Sequence, residues 1–134
     1  MPRPPRPTEA EERLLALARE LTALGRRGAP LADALALLAE AHAPDGPLPR
    51  AAAQAWLKGR SSKSAALALA WAREQVRLAI EELLERTLVT PRIAAPTPTR
   101  AWLFVAACEA IAQEPPQAAA DRVRALLHLA GESA

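Results

Sequence analysis

The sequence has few of the residues that build disulfide-bonded, secreted or membrane-spanning proteins. It contains one cysteine, Cys108, which excludes an internal disulfide and favours a reducing compartment. No apolar run approaches the roughly 18 residues that a membrane helix needs, and the first seven residues lack the hydrophobic core of a signal peptide. We therefore expect a cytoplasmic protein with no membrane partner.

Aromatic and β-branched residues are scarce as well. There is no tyrosine and only one phenylalanine, whereas alanine and leucine dominate a composition that is 51% hydrophobic. Alanine and leucine favour helix, and too few residues favour a sheet. The sequence predicts an all-α protein, namely a helix-turn-helix-containing bundle of five to six helices with a long central helix.

The side chains that carry catalysis or bind cofactors are also sparse. The five glycines are isolated, so no phosphate-binding loop is present. One cysteine and two distant histidines, His42 and His128, give no metal-ligand spacing. Cys108 lies in an apolar run, where a buried and unreactive thiol is expected, and His42 is expected as a partly exposed cap of the second helix. We expect no enzyme activity, no metal and no cofactor.

Acidic residues are missing from one stretch of 28 residues, between Asp45 and Glu74. Both lysines of the chain lie in this stretch, whose basic residues are Arg50, Lys58, Arg60, Lys63 and Arg73. The net charge of the chain is only +2, so the clustering carries the signal. Such a cluster at two helix ends suits a phosphate backbone, although ordinary solvated charges would give the same pattern.

Capping residues and helix breakers divide the chain into helices. The first opens with Thr8 and Glu11, which have the spacing of a capping box. Prolines and glycines then predict helices over 8–25 or 8–28, 30–42, 49–58 and 62–88, a fifth capped by Thr97 or Thr99 after a connector over 89–99, and a sixth over 116–130. The sixth is expected to be closed by Gly131 and to bury Ala120, Val123, Leu126, Leu127 and Ala130.

The second and third helices have the order of a helix-turn-helix, with the third helix as the reader. Ala53, Trp56 and Leu57 are expected to face inward from the third helix. Arg50 and Gln54 stand one turn apart on its expected outer face. Arginine can bond guanine and glutamine can bond adenine in the major groove, so this pair predicts contacts to bases.

The residues after the reader helix suit the DNA backbone. Lys58, Arg60 and Lys63 would hold phosphates, and Ser61 and Ser62 add hydroxyl groups and a helix N-terminus. The predicted DNA-binding residues are Arg50, Gln54, Lys58, Arg60, Ser61, Ser62 and Lys63.

The fourth helix carries two apolar faces. One consists of Leu69, Ala72, Val76, Ile80 (or Ala79) and Leu83. The other consists of Leu67, Trp71, Gln75 and Leu78. Such a helix is either packed on both sides or meets another subunit. The fifth helix is apolar all round near Trp102 and Phe104, so it is either central or part of a dimer interface. We expect a homodimer.

About half of the chain shows a particular order of elements. A helix that ends in glycine comes first, a helix-turn-helix follows, and a long helix that begins with a Ser-Lys pair comes last. The segments are Leu14-Leu15-Ala16 to Gly25 or Gly28, Leu31-Ala32-Asp33-Ala34-Leu35, and Trp56 through Ser62-Lys63 to Leu67. This order resembles TetR-type transcriptional regulators. The resemblance implies that Trp56 belongs to an aromatic motif closing the reader helix and that Lys63 touches phosphate. It also implies a small apolar effector near Trp71, Trp102 and Phe104, residues that core packing explains equally well.

The sequence therefore divides into three regions within one compact unit. These are a basic, proline-rich arm over 1–7, a helix-turn-helix region over 8–64, and a helical core and dimerisation region over 65–134. The arm is either an extended tail or reaches a nucleic-acid groove. The first hypothesis is a transcriptional regulator that binds double-stranded DNA. The alternative is a helical protein-interaction or assembly module, adaptor-like or antitoxin-like, that does not bind DNA.

Overall fold

A computed structural model describes residues 6–87 and 91–130 of the chain. These residues form six α-helices and no strand, which confirms the all-α prediction. The helices are α1 (Glu9–Arg26), α2 (Leu31–Ala41), α3 (Pro47–Gly59), α4 (Lys63–Arg86), α5 (Thr97–Ile111) and α6 (Pro116–Leu129). The predictions for residues 1–5 of the arm, for Leu88 as the end of the fourth helix, for residues 89 and 90 of the connector and for Gly131 lie outside the described residues.

The two ends of α1 follow from local sequence. Thr8 Oγ1 accepts a hydrogen bond from the Glu11 backbone N–H at 3.2 Å and donates one to the Glu11 carboxylate at 3.2 Å. At the other end, Gly28 has φ of +71°, a left-handed conformation that glycine adopts without strain. This turn lets the Ala29 N–H reach the Leu24 carbonyl, so one of the last carbonyls of the helix is satisfied.

The long α4 is the centre of the bundle. It has 24 residues, and it packs against α1, α3 and α5. That length corresponds to about 36 Å at ~1.5 Å per residue. Its buried stripe consists of Ala72, Val76, Ala79, Ile80, Leu83 and Leu84. This confirms the first predicted face of the helix, except that Leu69 is only partly buried.

One hydrophobic core joins all six helices. Its largest fully buried side chains are Leu21, Leu35, Leu38, Ile80, Val76 and Cys108. The apolar α5 buries one face of its surface in this core and leaves Trp102 56% exposed. The proposed caps of α5 are wrong, because the cap position is occupied by Pro96 and both threonines lie within the helix. A proline in the first turn removes an N–H that would have no helical acceptor, so the helix begins ahead of Pro98.

The buried face of α6 differs from the prediction. Ala119, Leu126 and Ala130 are buried, whereas Ala120 is exposed and Val123 and Leu127 are partly buried. Ala119 and Ala120 are adjacent alanines about 100° apart on the helix, and alanine suits either environment. The sequence therefore did not determine which of these two alanines is buried.

The buried face of α3 was also predicted wrongly. Trp56 and Leu57 are each 59% exposed, and Ala53 is exposed too. The inward side chains are Leu48, Ala51 and Ala55, and the two alanines pack against Ala10 of α1. Alanine permits the backbones of α3 and α1 to approach closely, which leaves the larger side chains on the outside of α3.

Glycine sets the approach of α3 to α4. Gly59 is the last residue of α3, one residue beyond the predicted end, and a Cβ on it would lie 3.2 Å from the Ala66 Cα. Few real side chains come so close to a backbone, so the glycine allows the end of α3 to lie against the first turns of α4. The principal packing partners of α3 are thus α1 and α4, and α3 is joined to α2 by the turn over 42–46.

Candidate nucleic-acid interface and adjoining cavities

Four exposed cations lie on α3 and at its junction with α4, with Arg50 in the first turns of α3 and the other three at the junction. We call them the basic corner, and they are Arg50, Lys58, Arg60 and Lys63. All four side chains are exposed. Within residues 6–87 and 91–130, none of them has a carboxylate oxygen within 4.0 Å of its charged nitrogens. Their positive charge is therefore not neutralised by the fold.

Arg73, the fifth basic residue of the acid-free stretch, does not belong to this corner. Its Nε lies 2.8 Å from Oε2 of Glu109, and its second terminal nitrogen lies 2.8 Å from Oε1. A two-point contact of this kind fixes the guanidinium plane and offsets its charge. Arg73 therefore links α4 to α5.

The outer face of α3 carries the two predicted base-contacting residues. Arg50 and Gln54 are both exposed, and their spacing of four residues places them on one side of the helix. Leu57, one turn further on, shares this side and is 59% exposed. The opposite side packs on α1 through Ala51 and Ala55. Arg50 and Gln54 thus lie together on a face that the described part of the protein leaves uncovered.

The serine hydroxyls of the α3–α4 turn have local partners. Ser61 Oγ donates to the Lys58 carbonyl at 3.2 Å. Ser62 Oγ accepts from the Ala65 backbone N–H at 3.2 Å, so Ser62 is the N-cap of α4. The predicted start of α4 is confirmed. The anion-attracting groups at this helix end are its first-turn N–H groups and the Lys63 side chain.

Arg60 and Trp56 form a cation–π pair on the surface. The Arg60 guanidinium carbon lies 5.3 Å from the centre of the Trp56 ring. Their spacing of four residues at the end of α3 is the sequence signal for this contact. The contact orients a guanidinium group over an exposed indole and leaves its N–H groups without a protein carboxylate in the part of the chain that is described.

The three residues proposed for an effector or dimer site occupy three environments. Phe104 is 2% exposed and belongs to the core. Trp102 is 56% exposed on α5. Trp71 is 58% exposed and lines a groove between α1 and α4.

The second predicted apolar face of α4 borders that groove. We call Leu67, Trp71 and Leu78 the apolar strip, and they are 62%, 58% and 41% exposed. Trp71 and Leu78 of the strip line the groove, which has a volume of about 790 Å³ and is bounded on α1 by Leu15 and Ala18 together with arginines. Exposed large apolar side chains on one helix face are typical of a contact with another macromolecule.

His42 is buried, contrary to the prediction of a partly exposed cap. Its side chain is 5% exposed, and Nδ1 lies 2.8 Å from the Leu38 carbonyl oxygen. Burial lowers the pKa of His42 and outweighs the hydrogen bond to Leu38 and the Glu109 carboxylate, which both raise it. The residue borders a cavity of about 300 Å³ that is also lined by residues of α1, α3, α4 and α5. The cover over His42 comes from these other helices, which is why the end of α2 alone did not reveal it.

Cys108 is buried in the core, as its apolar surroundings indicated. Burial raises the pKa of its thiol to about 12. In the described part of the chain, no group of three or more His, Cys, Asp and Glu side chains could hold a metal ion. None of the helices among the described residues combines the length and apolarity needed to cross a bilayer.

Comparison of this chain with protein-family models, with curated proteins and with solved structures finds no match. The resemblance to TetR-type regulators therefore stays a prediction from the sequence.

Proposed function

We propose that this protein binds double-stranded DNA as a transcriptional regulator, with α3 as the helix that enters the major groove. The observation that carries the proposal is the basic corner: four exposed cations, one near the start of α3 and three at its junction with α4, without a carboxylate partner among residues 6–87 and 91–130. Phosphate contacts from such cations supply most of the affinity of a protein for DNA.

The outer face of α3 supports contacts to bases. Arg50 and Gln54 are exposed on the same face, and both side chains can make two-point hydrogen bonds to purines. Lys58 and Arg60 flank the C-terminal end of that helix, and Lys63 begins α4. This arrangement puts the base readers on the helix and the phosphate contacts at its end, which is how positioning and specificity divide in such interfaces.

The salt dependence of binding to a random-sequence duplex tests the proposal. If Lys58, Arg60 and Lys63 contact phosphates while Arg50 contacts a base, the logarithm of the association constant falls with the logarithm of salt concentration at a slope of about −2.7. Lys63→Ala should reduce the magnitude of that slope by about 0.9. The matched control is Arg122→Ala, because Arg122 is also exposed and lies on α6. Fluorescence anisotropy that detects no binding by the unmutated protein at low salt would refute the proposal.

A homodimer is the second part of this proposal. It is supported by the apolar strip, since three large side chains on one face of α4 are 62%, 58% and 41% exposed. A strip on one helix can pack against the same strip of a second copy, which makes a two-fold symmetric interface.

Sedimentation velocity tests the pairing. Trp71→Glu should convert a dimer into a monomer, because it places a charge in the apolar strip. Trp102→Glu is the matched control, since Trp102 has nearly the same exposure, 56% against 58%, and lies on α5. An unmutated protein that is monomeric contradicts the proposed dimer. A dimer that is broken only by Trp102→Glu would show that the interface lies on α5 instead.

The alternative function, a protein-interaction module without DNA binding, is favoured by the tryptophans. All three are more than half exposed, at 59%, 58% and 56%, although tryptophan is among the residues that folding most readily covers. This function requires that the double variant Lys58→Gln and Lys63→Gln leaves assembly unchanged and that no duplex is bound. If the unmutated protein binds a DNA duplex, this alternative function is wrong.

A further inference from the structure

The cavity next to His42 lies behind α3, away from the outer face that carries Arg50 and Gln54. Its walls are mostly apolar and come from several helices: Leu14 of α1, Leu48 and Ala52 of α3, Leu69 of α4, and Ala112 after α5. Its volume is about 300 Å³. Cavities of roughly 300–1,000 Å³ with apolar walls and a few polar groups are typical of sites for small molecules.

The tautomer of His42 follows from its hydrogen bond. The Leu38 carbonyl oxygen can only accept, so the Nδ1 atom 2.8 Å away carries a proton and donates it. Burial lowers the pKa of the imidazole, which keeps it neutral near pH 7. The other ring nitrogen, Nε2, is therefore an acceptor with a free lone pair.

Nε2 has no hydrogen-bond partner among the residues that the structure describes. No fully enclosed side-chain nitrogen or oxygen atom of those residues lacks a partner, so Nε2 retains some access to solvent. His42 as a whole is only 5% exposed and lines the cavity, which supplies that access. A nearly buried acceptor thus opens into an apolar space.

The charged groups of the cavity are already paired with each other. Arg73 of α4 and Glu109 of α5 both line it, and they hold each other through two contacts of 2.8 Å. The lining residues from α1 and α3 carry no charge. The cavity therefore offers a net neutral lining, in which Nε2 of His42 is a nearly buried acceptor and the exposed amide of Gln113 is a further polar group, and this does not suit a strongly ionic ligand.

We propose that this cavity binds a small, flat, mainly apolar molecule with one hydroxyl or N–H group, which donates a hydrogen bond to Nε2 of His42. The apolar body of the molecule lies between α3 and α4, with the indole of Trp56 at the border of the cavity. An apolar cavity of roughly 150 Å³ already admits benzene, so a volume of about 300 Å³ suits a two-ring molecule. This site is distinct from the DNA-contacting surface and does not depend on DNA binding.

Nuclear magnetic resonance of the histidine side chains provides the test, with 2-naphthol as the probe. Naphthalene, which has the same rings and no donor, is the matched probe. We expect a saturable shift of the His42 Nε2 signal with 2-naphthol and at least a fivefold weaker effect with naphthalene. His128 is an internal control, because it is exposed near the end of α6 and should not respond.

Two variants separate the cavity from unspecific apolar binding. Ala52→Leu fills the cavity while it retains His42 and a good helix former, and it should abolish the shift. Ala23→Leu adds the same side chain to the α1–α4 groove and should leave the shift intact. An unmoved His42 signal in the unmutated protein overturns the proposal, as does a shift that survives Ala52→Leu or equal binding of naphthalene.

Discussion

Arg73 of α4 and Glu109 of α5 meet in a two-point ion pair, with both nitrogen–oxygen distances at 2.8 Å. The pair joins two helices that are 36 residues apart in sequence at this contact. It also removes one arginine from the group of cations that the sequence assigned to a single stretch. The unpaired cations of this region are thus Arg50 near the start of α3 and three residues at the junction of α3 and α4.

Because of this ion pair, an arginine variant and a lysine variant should differ in their affinity for DNA. Arg73→Ala should change the affinity for a DNA duplex by less than about twofold, because its guanidinium already has a partner. Lys63→Ala should weaken binding severalfold at ~0.1 M salt, because it removes an uncompensated cation. Fluorescence anisotropy with one labelled duplex measures both, and an equal loss in the two variants contradicts this account of the basic corner.

The stability of the protein should decrease on mild acidification because of His42. The imidazole has a pKa of 6.5 in its unperturbed state and a lower pKa in the fold, where burial opposes the charged form. As the pH falls below 6.5, the unfolded chain takes up this proton before the folded chain does. The free energy of unfolding should then decrease by up to about 1.4 kcal/mol per pH unit until the folded pKa is reached.

Urea denaturation at pH 7.5 and pH 5.5 checks this dependence, with His42→Gln and His128→Gln as variants. The difference in unfolding free energy between the two pH values should shrink in His42→Gln. It should persist in His128→Gln, because His128 is exposed near the end of α6. A pH dependence carried entirely by His128 would contradict the burial of His42.

Two aromatic substitutions should differ widely in their effect on stability. Phe104 is 2% exposed, and Phe104→Ala should cost about 3–5 kcal/mol through the cavity it leaves. Trp56 is 59% exposed, and Trp56→Ala should cost less than about 1 kcal/mol, mainly from its contact with Arg60. Chemical denaturation followed by circular dichroism measures both. Similar losses would show that Trp56 faces inward, as the sequence had indicated.

The thiol of Cys108 should be unreactive in the folded protein. Burial raises its pKa to about 12, so almost no thiolate is present at pH 8. A disulfide reagent such as 5,5′-dithiobis(2-nitrobenzoate) should modify the protein only after unfolding in guanidinium chloride. Rapid modification of the folded protein at pH 8 would contradict this prediction. If modification is slow, its rate at low denaturant concentration measures how often the core opens.

Features of the fold that depend on neighbouring residues could be predicted from the sequence. Thr8 and Ser62 are helix caps whose partners lie three residues away, so the sequence next to each cap was enough to predict where α1 and α4 begin. The length and buried stripe of α4 follow from a period that runs through most of the helix. Both signals are local, and packing did not override them.

Features set by the packing of other helices could not be predicted. Alanine does not indicate which face of α3 is buried, because Ala51, Ala53 and Ala55 are chemically identical and only two of them meet α1. The burial of His42 depends on cover from other helices that lie before and after it in the chain. The ion pair of Arg73 depends on a glutamate 36 residues away. Six of the seven candidate DNA-contacting residues, in contrast, are exposed, and Ser62 is partly buried as the N-cap of α4.

The positions of the tryptophans have an optical consequence. With indoles that are 59%, 58% and 56% exposed, the folded protein should emit near the wavelength of hydrated tryptophan, and its spectrum should shift little on unfolding. Intrinsic fluorescence is then a poor measure of folding for this chain. It is a sensitive measure of what touches the surface, because Trp56 lies beside the α3–α4 junction, Trp71 borders the α1–α4 groove and Trp102 marks α5. Single-tryptophan variants would therefore report separately on three faces of one small bundle.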